Sequence, residues 1–367
     1  MLRVTPPFRA DHVGSLLRPQ HLRDARTQRE RGEITPEQLR ETEDRAIREL
    51  IAKQESVGLQ SITDGEFRRA FWHLDFLEQF AGVETYPAGQ DVQFKGGMAR
   101  IKGIKVTGKI QARPHPMIEH FRFLKANVSS KTAKMTIPSP SVLHYRGGRK
   151  AVSESAYPDM DEFYFDLGQT YKTVISEFGA AGCTYLQLDE VSLTYLCDDD
   201  QRQMLRSRGE EPEKLPGIYA EMINAAISGK TPGMRMTMHL CRGNFKSMWI
   251  AAGGYEPIAD VLFNKINADG YFLEWDTDRA GSFEPLRLVP KNKQVVLGLV
   301  TSKSGALEDK DDLKRRIDEA GKFIDLEQLC LSPQCGFASS EEGNVLTEEE
   351  QWAKLRLIVE VADEVWG

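Results

Sequence analysis

Apolar positions along the chain fall into two rhythms that take turns. Short runs rich in Val, Ile, Leu and Met, each ending in polar residues, occupy 8–15, 59–63, 133–137, 184–188, 234–241, 271–273, 294–300 and 328–331. Between most of them apolar residues return every three or four positions, the spacing of an amphipathic helix rather than a strand. Helices are expected over 35–57, 161–181, 216–228, 258–266, 309–320 and 348–365. The first of these opens on Thr35-Pro36 and closes at Gly58, the residue types that favour a helix start and stop. The rhythm breaks from 67 to about 133. There Phe67, Phe71, Trp72, Phe76 and Phe80 follow mostly helical spacing, and 92–110 carries β-like runs broken by Gly96-Gly97, Gly103 and Gly108, which reads as a β-hairpin excursion.

Strand alternating with helix implies a parallel sheet, and eight such units close a (β/α)8 TIM barrel. The expected fold class is therefore α/β, one barrel domain over 1–367 with a helical and hairpin insertion between strands 2 and 3; a doubly wound open sheet is the alternative. Ser15, Glu66, Asp189, His239, Cys241, Glu274 and Cys335 all stand at or just past the C-terminal end of an expected strand. In a barrel those ends meet on one face, the face that carries the active site.

Composition narrows the class. Of 367 residues, 40% are hydrophobic and 28% charged, an ordinary balance for a globular protein, and a net charge of −7 offers no basic footprint for nucleic acid. No apolar run approaches the roughly 20 residues that span a bilayer. The start, Met1-Leu2-Arg3-Val4-Thr5, lacks the apolar segment of a secretory signal, and five cysteines are too few and too odd for a disulfide framework, so a reducing cytoplasm is expected.

The run 234–241 ends in His239-Leu240-Cys241. Side chains two apart on a strand point the same way, so an imidazole and a thiol project together, and N/S donors of this kind favour zinc. Cys335 after the eighth run adds a second thiol. Glu274 after the sixth can complete a tetrahedral set, and Asp276, of the same parity, is the alternative fourth ligand. Cys183 and Cys330 lie at or within the other ends of their runs and suit buried structural thiols; Cys197 is assigned nothing. A zinc held by two thiolates is a poor Lewis acid for hydrolysis but a good carrier for a substrate thiol, whose pKa the cation lowers. Alkyl transfer to sulfur is the chemistry expected.

The set His239-x-Cys241, Glu274 and Cys335-Gly336, with Asp11-His12-Val13-Gly14-Ser15, Asp64-Gly65-Glu66 and Leu188-Asp189-Glu190, resembles the catalytic domain of cobalamin-independent methionine synthase, above all the short single-domain bacterial members. The resemblance runs over roughly residues 8 to 365. It implies a zinc-containing barrel that transfers a methyl group to homocysteine, with Zn2+ on His239, Cys241, Glu274 and Cys335. It places the amino acid's carboxylate at Gly14-Ser15 and its ammonium at Glu66 and Asp189. The family's general acid, a histidine in the loop after strand seven, aligns with Lys303. The additional N-terminal half of the full-length synthases, which helps hold polyglutamated methyltetrahydrofolate, is expected to be absent, and the donor is either that folate or another methyl carrier. Two other readings remain: alkyl transfer to a different thiol such as coenzyme M, and a non-catalytic protein with a structural zinc. Small-molecule partners are expected, with no nucleic acid and no membrane; exposed aromatics of the insertion would suit a homodimer interface.

Overall fold

The computed structural model describes residues 3–367, with side chains except at 88–91, 100 and 101. Seven parallel strands run in the order β1 (Ser61–Ile62), β4 (Thr132–Pro138), β5 (Tyr185–Glu190), β6 (Arg235–Leu240), β7 (Gly270–Glu274), β8 (Gln294–Val300) and β9 (Leu329–Pro333). A separate antiparallel hairpin pairs β2 (Ala81–Phe94) with β3 (Gly97–Gln111). The curled sheet is closed by residues 9–16. Ala10 bridges Leu331 in parallel, Asp11 N donates to Leu331 O at 3.0 Å, and Leu16 N donates to Gly65 O at 3.1 Å beyond β1. The fold is thus the expected α/β barrel of eight staves.

Two staves are less regular than the apolar runs suggested. The stretch 8–15 makes one bridge instead of a strand, because Asp11 Oδ2 accepts from Phe8 N and Asp11 Oδ1 from His12 N, taking amides that a ladder would need. The run 59–63 pairs only at Ser61 and Ile62; Thr63 N and O are both held by the side-chain amide of Gln54 in the helix Pro36–Ser56. That helix starts as expected, Thr35 and Gln38 forming a capping box. The helices Met160–Ala180, Leu215–Ile227, Lys310–Ala320 and Glu348–Trp366 match their apolar spacing within about two residues. The stretch 258–266 does not make an α-helix: Glu256–Ile258 is a 3-10 turn and Val261–Lys265 a π-type turn.

The insertion sits between the second and third staves, as expected, but differs inside. Only Leu74–Leu77 of the aromatic stretch is helical, and the hairpin is longer than the runs around its glycines. Phe67, Phe76 and Phe80 are buried, and Phe71 and Trp72 are half-buried, so the aromatics do not form the exposed patch proposed as a dimer face. Helical spacing there reflects inward packing of an irregular chain: Phe76 stacks on His115 and Tyr171, with ring centroids 4.3 and 5.4 Å away. No helix among the described residues is long and apolar enough to cross a membrane.

Candidate active site

Register brings the site together. In the parallel ladder Asp189 of β5 lies opposite His239 of β6, and His239 opposite Phe272 of β7, two residues before Glu274. Cys241, one residue past β6, still donates its amide to Glu190 O at 2.8 Å, so it keeps the parity of His239. Cys335 follows β9 by two residues. The ligand atoms of His239, Cys241, Glu274 and Cys335 lie within 4.8 Å of one another, all four side chains buried. Cys335 Sγ is 3.4 Å from Cys241 Sγ and 3.4 Å from His239 Nε2.

The donor set fits a metal. Tetrahedral zinc with Zn–S near 2.3 Å and Zn–N near 2.0–2.1 Å would place S···S at about 3.8 Å and S···N at about 3.6 Å. The three atoms lie close to that spacing, and all five cysteines are free. Glu274, fully buried, is aimed by its surroundings: Oε1 accepts from Arg242 N and Oε2 from Arg279 Nη2, both at 3.0 Å, while its amide donates to Tyr255 Oη at 2.9 Å. Asp276, the alternative ligand, stands outside the cluster, paired with Arg279 at 2.7 Å and accepting from Thr301 Oγ1 at 3.0 Å. Cys335 is pulled well below the usual thiol range, first by the hydrogen bond from Cys241 and then by His239 against the opposing effect of burial; Cys241, giving that bond, is pushed up. At His239 the lowering by burial is outweighed by Cys335, and its imidazole is raised.

Beside this cluster opens a cavity lined by Ser15, Glu66, Asp189, His239, Cys241 and Cys335 together with the aromatic side chains of Phe71, Trp72, Phe94, Tyr195 and Phe245. Of the sequence-expected residues, Ser15, Glu66, Asp189, His239, Cys241 and Cys335 thus share one space, while Gly14, Glu274 and Lys303 do not line it. Glu66 adopts φ 61° and accepts from Thr136 Oγ1 at 2.9 Å, leaving Oε2 buried without a partner. Burial raises its carboxyl against the Arg69 guanidinium. Asp189 is lifted to about 7 by burial and by the charge of Glu66. Ser15 is fixed on the β9 loop, its Oγ accepting from Ala338 N at 3.4 Å and its carbonyl from Phe337 N at 3.0 Å. A Cβ at Gly336 would come within 1.9 Å of Ser15 Oγ, so the glycine after Cys335 is a packing requirement. Lys303 Nζ donates to Asn244 Oδ1 at 3.1 Å and Gly243 O at 3.4 Å, residues of the cavity wall, without lining the cavity itself.

Sequence reasoning missed three supports. Arg18, almost fully buried, donates to Glu66 O, Arg69 O, Ala338 O and Ser340 O, clamping the loop after β1 to the loop after β9. Arg279 holds Glu274, and Arg146 lines the cavity wall. Nothing in the sequence immediately around them sets any of the three apart.

The family model "Cobalamin-independent synthase, Catalytic domain" matches residues 8–364. The Bacillus subtilis (strain 168) protein YxjH, itself described as uncharacterized, is 49% identical over 361 residues, 98% of this chain and 95% of YxjH. A crystal structure from Listeria monocytogenes, whose description proposes a vitamin-B12-independent methionine synthase, superposes with TM-score 0.81 at 43% identity and full coverage of both chains. A B12-independent methionine synthase from Shewanella sp. W3-18-1, solved with selenomethionine, shares the fold at TM-score 0.72 and 18% identity over 96% of each chain.

Proposed function

The chain belongs to the family of cobalamin-independent methionine synthase catalytic domains, and we propose that it moves a methyl group onto the thiol of homocysteine to form methionine. The observation that carries this reading is the pairing of a four-residue metal-ligating cluster with two buried carboxylates, Glu66 and Asp189, that line the same cavity. Arg69 stands 3.5 Å from Glu66 Oε1, while Glu66 Oε2 is left without a partner. Burial raises both carboxyls, and at Asp189 the charge of Glu66 raises it further, so the pair calls for more positive charge than Arg69 gives. An α-ammonium between them supplies it, at a site where a sulfonate or other anion would be repelled. That favours an amino-acid thiol over coenzyme M. Selenomethionine in the Shewanella structure, the selenium counterpart of the proposed product, is in keeping with it.

The fitting metal is zinc, on His239, Cys241, Glu274 and Cys335; when bound it supplies the charge that keeps a substrate thiol in its thiolate form near neutral pH. Ser15 and the amides around it receive the substrate carboxylate. Glu66 and Asp189 fix the ammonium, so the sulfur end of the substrate points toward the cysteines. The thiolate sulfur then attacks the donor's methyl carbon in line. A C–S bond forms, the bond from the methyl to its carrier breaks, and the carrier takes up a proton. Lys303 is proposed as the source of that proton at Nζ, held at the cavity edge by Asn244. Phe71 and Trp72 give a flat donor such as a pterin an aromatic wall to pack against, and 5-methyltetrahydrofolate is the donor proposed.

The test is zinc content followed by methionine formation from homocysteine with 5-methyltetrahydrofolate in mono- and polyglutamate forms. One zinc per chain and product are expected, with Glu66→Gln and Asp189→Asn each weakening homocysteine binding tenfold or more. Unchanged homocysteine affinity in both variants would remove the amino-acid reading. A site that shows no added sulfur scatterer by X-ray absorption on addition of homocysteine would point to a closed, structural metal.

A further inference from the structure

Arg242 follows the ligand Cys241 in the chain, and its side chain is fully buried. Its Nε, Nη1 and Nη2 are all buried without a hydrogen-bond partner, which holds for no other arginine among the described residues. Arg18, also buried, spends its two terminal nitrogens on four carbonyls. A guanidinium out of water with no acceptor is costly, so something other than hydrogen bonding holds Arg242 where it is. What the structure provides is the face of Tyr255, whose ring centroid lies 4.5 Å from the guanidinium carbon. A cation over an aromatic face is favourable, and more so away from water.

Tyr255 leads from that cation to the fourth ligand. Its hydroxyl accepts from Glu274 N at 2.9 Å and donates to Glu274 O at 3.3 Å. Its ring meets that of Trp275, the next residue, edge-on with centroids 5.0 Å apart. The main chain of Arg242 reaches the same ligand, its amide donating to Glu274 Oε1 at 3.0 Å. Glu274 is thus held twice from Arg242, at its carboxylate by the amide and at its backbone through Tyr255. The backbone of Arg242 is fixed in turn, its carbonyl accepting from Ile250 N at 2.9 Å and from Ala251 N at 3.0 Å. Gly253 N donates to Arg279 O at 2.8 Å, so the loop that carries Tyr255 is joined to the residue that holds Glu274 Oε2. We propose that Arg242 and Tyr255 are positioning residues for the metal centre: the guanidinium pins the Tyr255 ring, the Tyr255 hydroxyl fixes the end of β7, and Glu274 rather than Asp276 is thereby presented to the metal. The inference rests on the reading of His239, Cys241, Glu274 and Cys335 as metal ligands. It adds two residues that belong neither to the ligand cluster nor to the cavity lining.

The experiment loads the metal-free protein with zinc, in competition with a chelating dye, and separately with cobalt(II), whose visible absorption reports the ligand set. Wild type is compared with Arg242→Met, Arg242→Lys, Tyr255→Phe and Glu274→Gln. Arg242→Met and Tyr255→Phe should each weaken zinc about tenfold and shift the cobalt spectrum toward that of Glu274→Gln. Arg242→Lys, which keeps a cation over the ring, should stay within about threefold of wild type. In the Glu274→Gln background neither change should weaken zinc further, because the route to the metal is already cut. The unfolding midpoint of each metal-free variant is measured on the same samples. A lowered midpoint with wild-type zinc affinity and cobalt spectrum would make Arg242 a packing residue only and overturn the proposal. An equal loss of zinc affinity in the Glu274→Gln background would overturn it too. Should Arg242→Met fail to fold, Tyr255→Phe makes the same test: wild-type affinity and spectrum there would break the route from Arg242 to Glu274 and end the proposal. Wild type that binds neither metal would sink the metal reading and the proposal together, whereas wild type that binds both, with the variants no different, sinks the proposal alone.

Discussion

Lys303 tests the assignment of roles at the scale of one side chain. Its ammonium is held by Asn244 Oδ1 and Gly243 O at the rim and adds positive charge that lowers the thiols of Cys241 and Cys335. A proton donor at the departing carrier contributes on the order of 10²–10⁴ in rate. Lys303→Met should therefore cut kcat at least tenfold while homocysteine affinity stays within about twofold, and Lys303→His should restore part of it. A Lys303→Met enzyme with wild-type kcat would remove Lys303 from the proton path. That His239 and Cys241 face one way was legible from parity, and the structure has them do so. Glu274 and Asp276 share parity and could not be told apart that way. The choice is made by Arg242 N, Arg279 and Thr301, partners brought in from other parts of the chain.

Among the elements, the irregular stave 9–16 depends most on one residue. Asp11, fully buried, accepts from Ser61 Oγ of β1 at 2.7 Å and Tyr185 Oη of β5 at 2.9 Å, and pairs with Lys134 of β4 at 3.2 Å. Lys134 in turn lies over the rings of Phe272 and Tyr185 at 4.1 and 4.8 Å. A strand-like apolar run predicted this stave but not its form, since a carboxylate that replaces ladder partners leaves no trace in hydrophobic periodicity. Burial pushes the Asp11 carboxyl up, but Lys134, His12 and the donors at Ser61 and Phe8 outweigh it, and the net direction is down from 3.8. A carboxyl depressed on folding stabilises fully above its unfolded value and loses that contribution as pH falls through the folded one. Asp11→Asn should therefore flatten the decline in stability below about pH 4. It should also cost about 3–5 kcal/mol at neutral pH, because it strands the buried ammonium. Denaturant titrations across the acid range check both. A loss under about 1 kcal/mol would mean the barrel closes without this network.

For the molecule as a whole, the proposed metal is also a tie between staves. Alternation of eight apolar runs with helical spacing pointed to a barrel with a doubly wound open sheet as the alternative, yet it says nothing about what holds the staves together at the active face. The ligands come from β6 and just past it, the end of β7 and beyond β9, with β8 lying between the last two. Unfolding scatters them, so binding free energy becomes folding free energy, about 4 kcal/mol when free zinc is a thousandfold above Kd. Removing zinc with a chelator should lower the unfolding midpoint, and restoring one equivalent should recover it. Cys335→Ser, which takes away the thiol 3.4 Å from both Cys241 and His239, should show a weaker response or none. The comparison is informative because the variant keeps the rest of the cavity: a midpoint that ignores zinc in wild type would count against a bound metal altogether. A midpoint that responds equally in Cys335→Ser would place the ion on other residues.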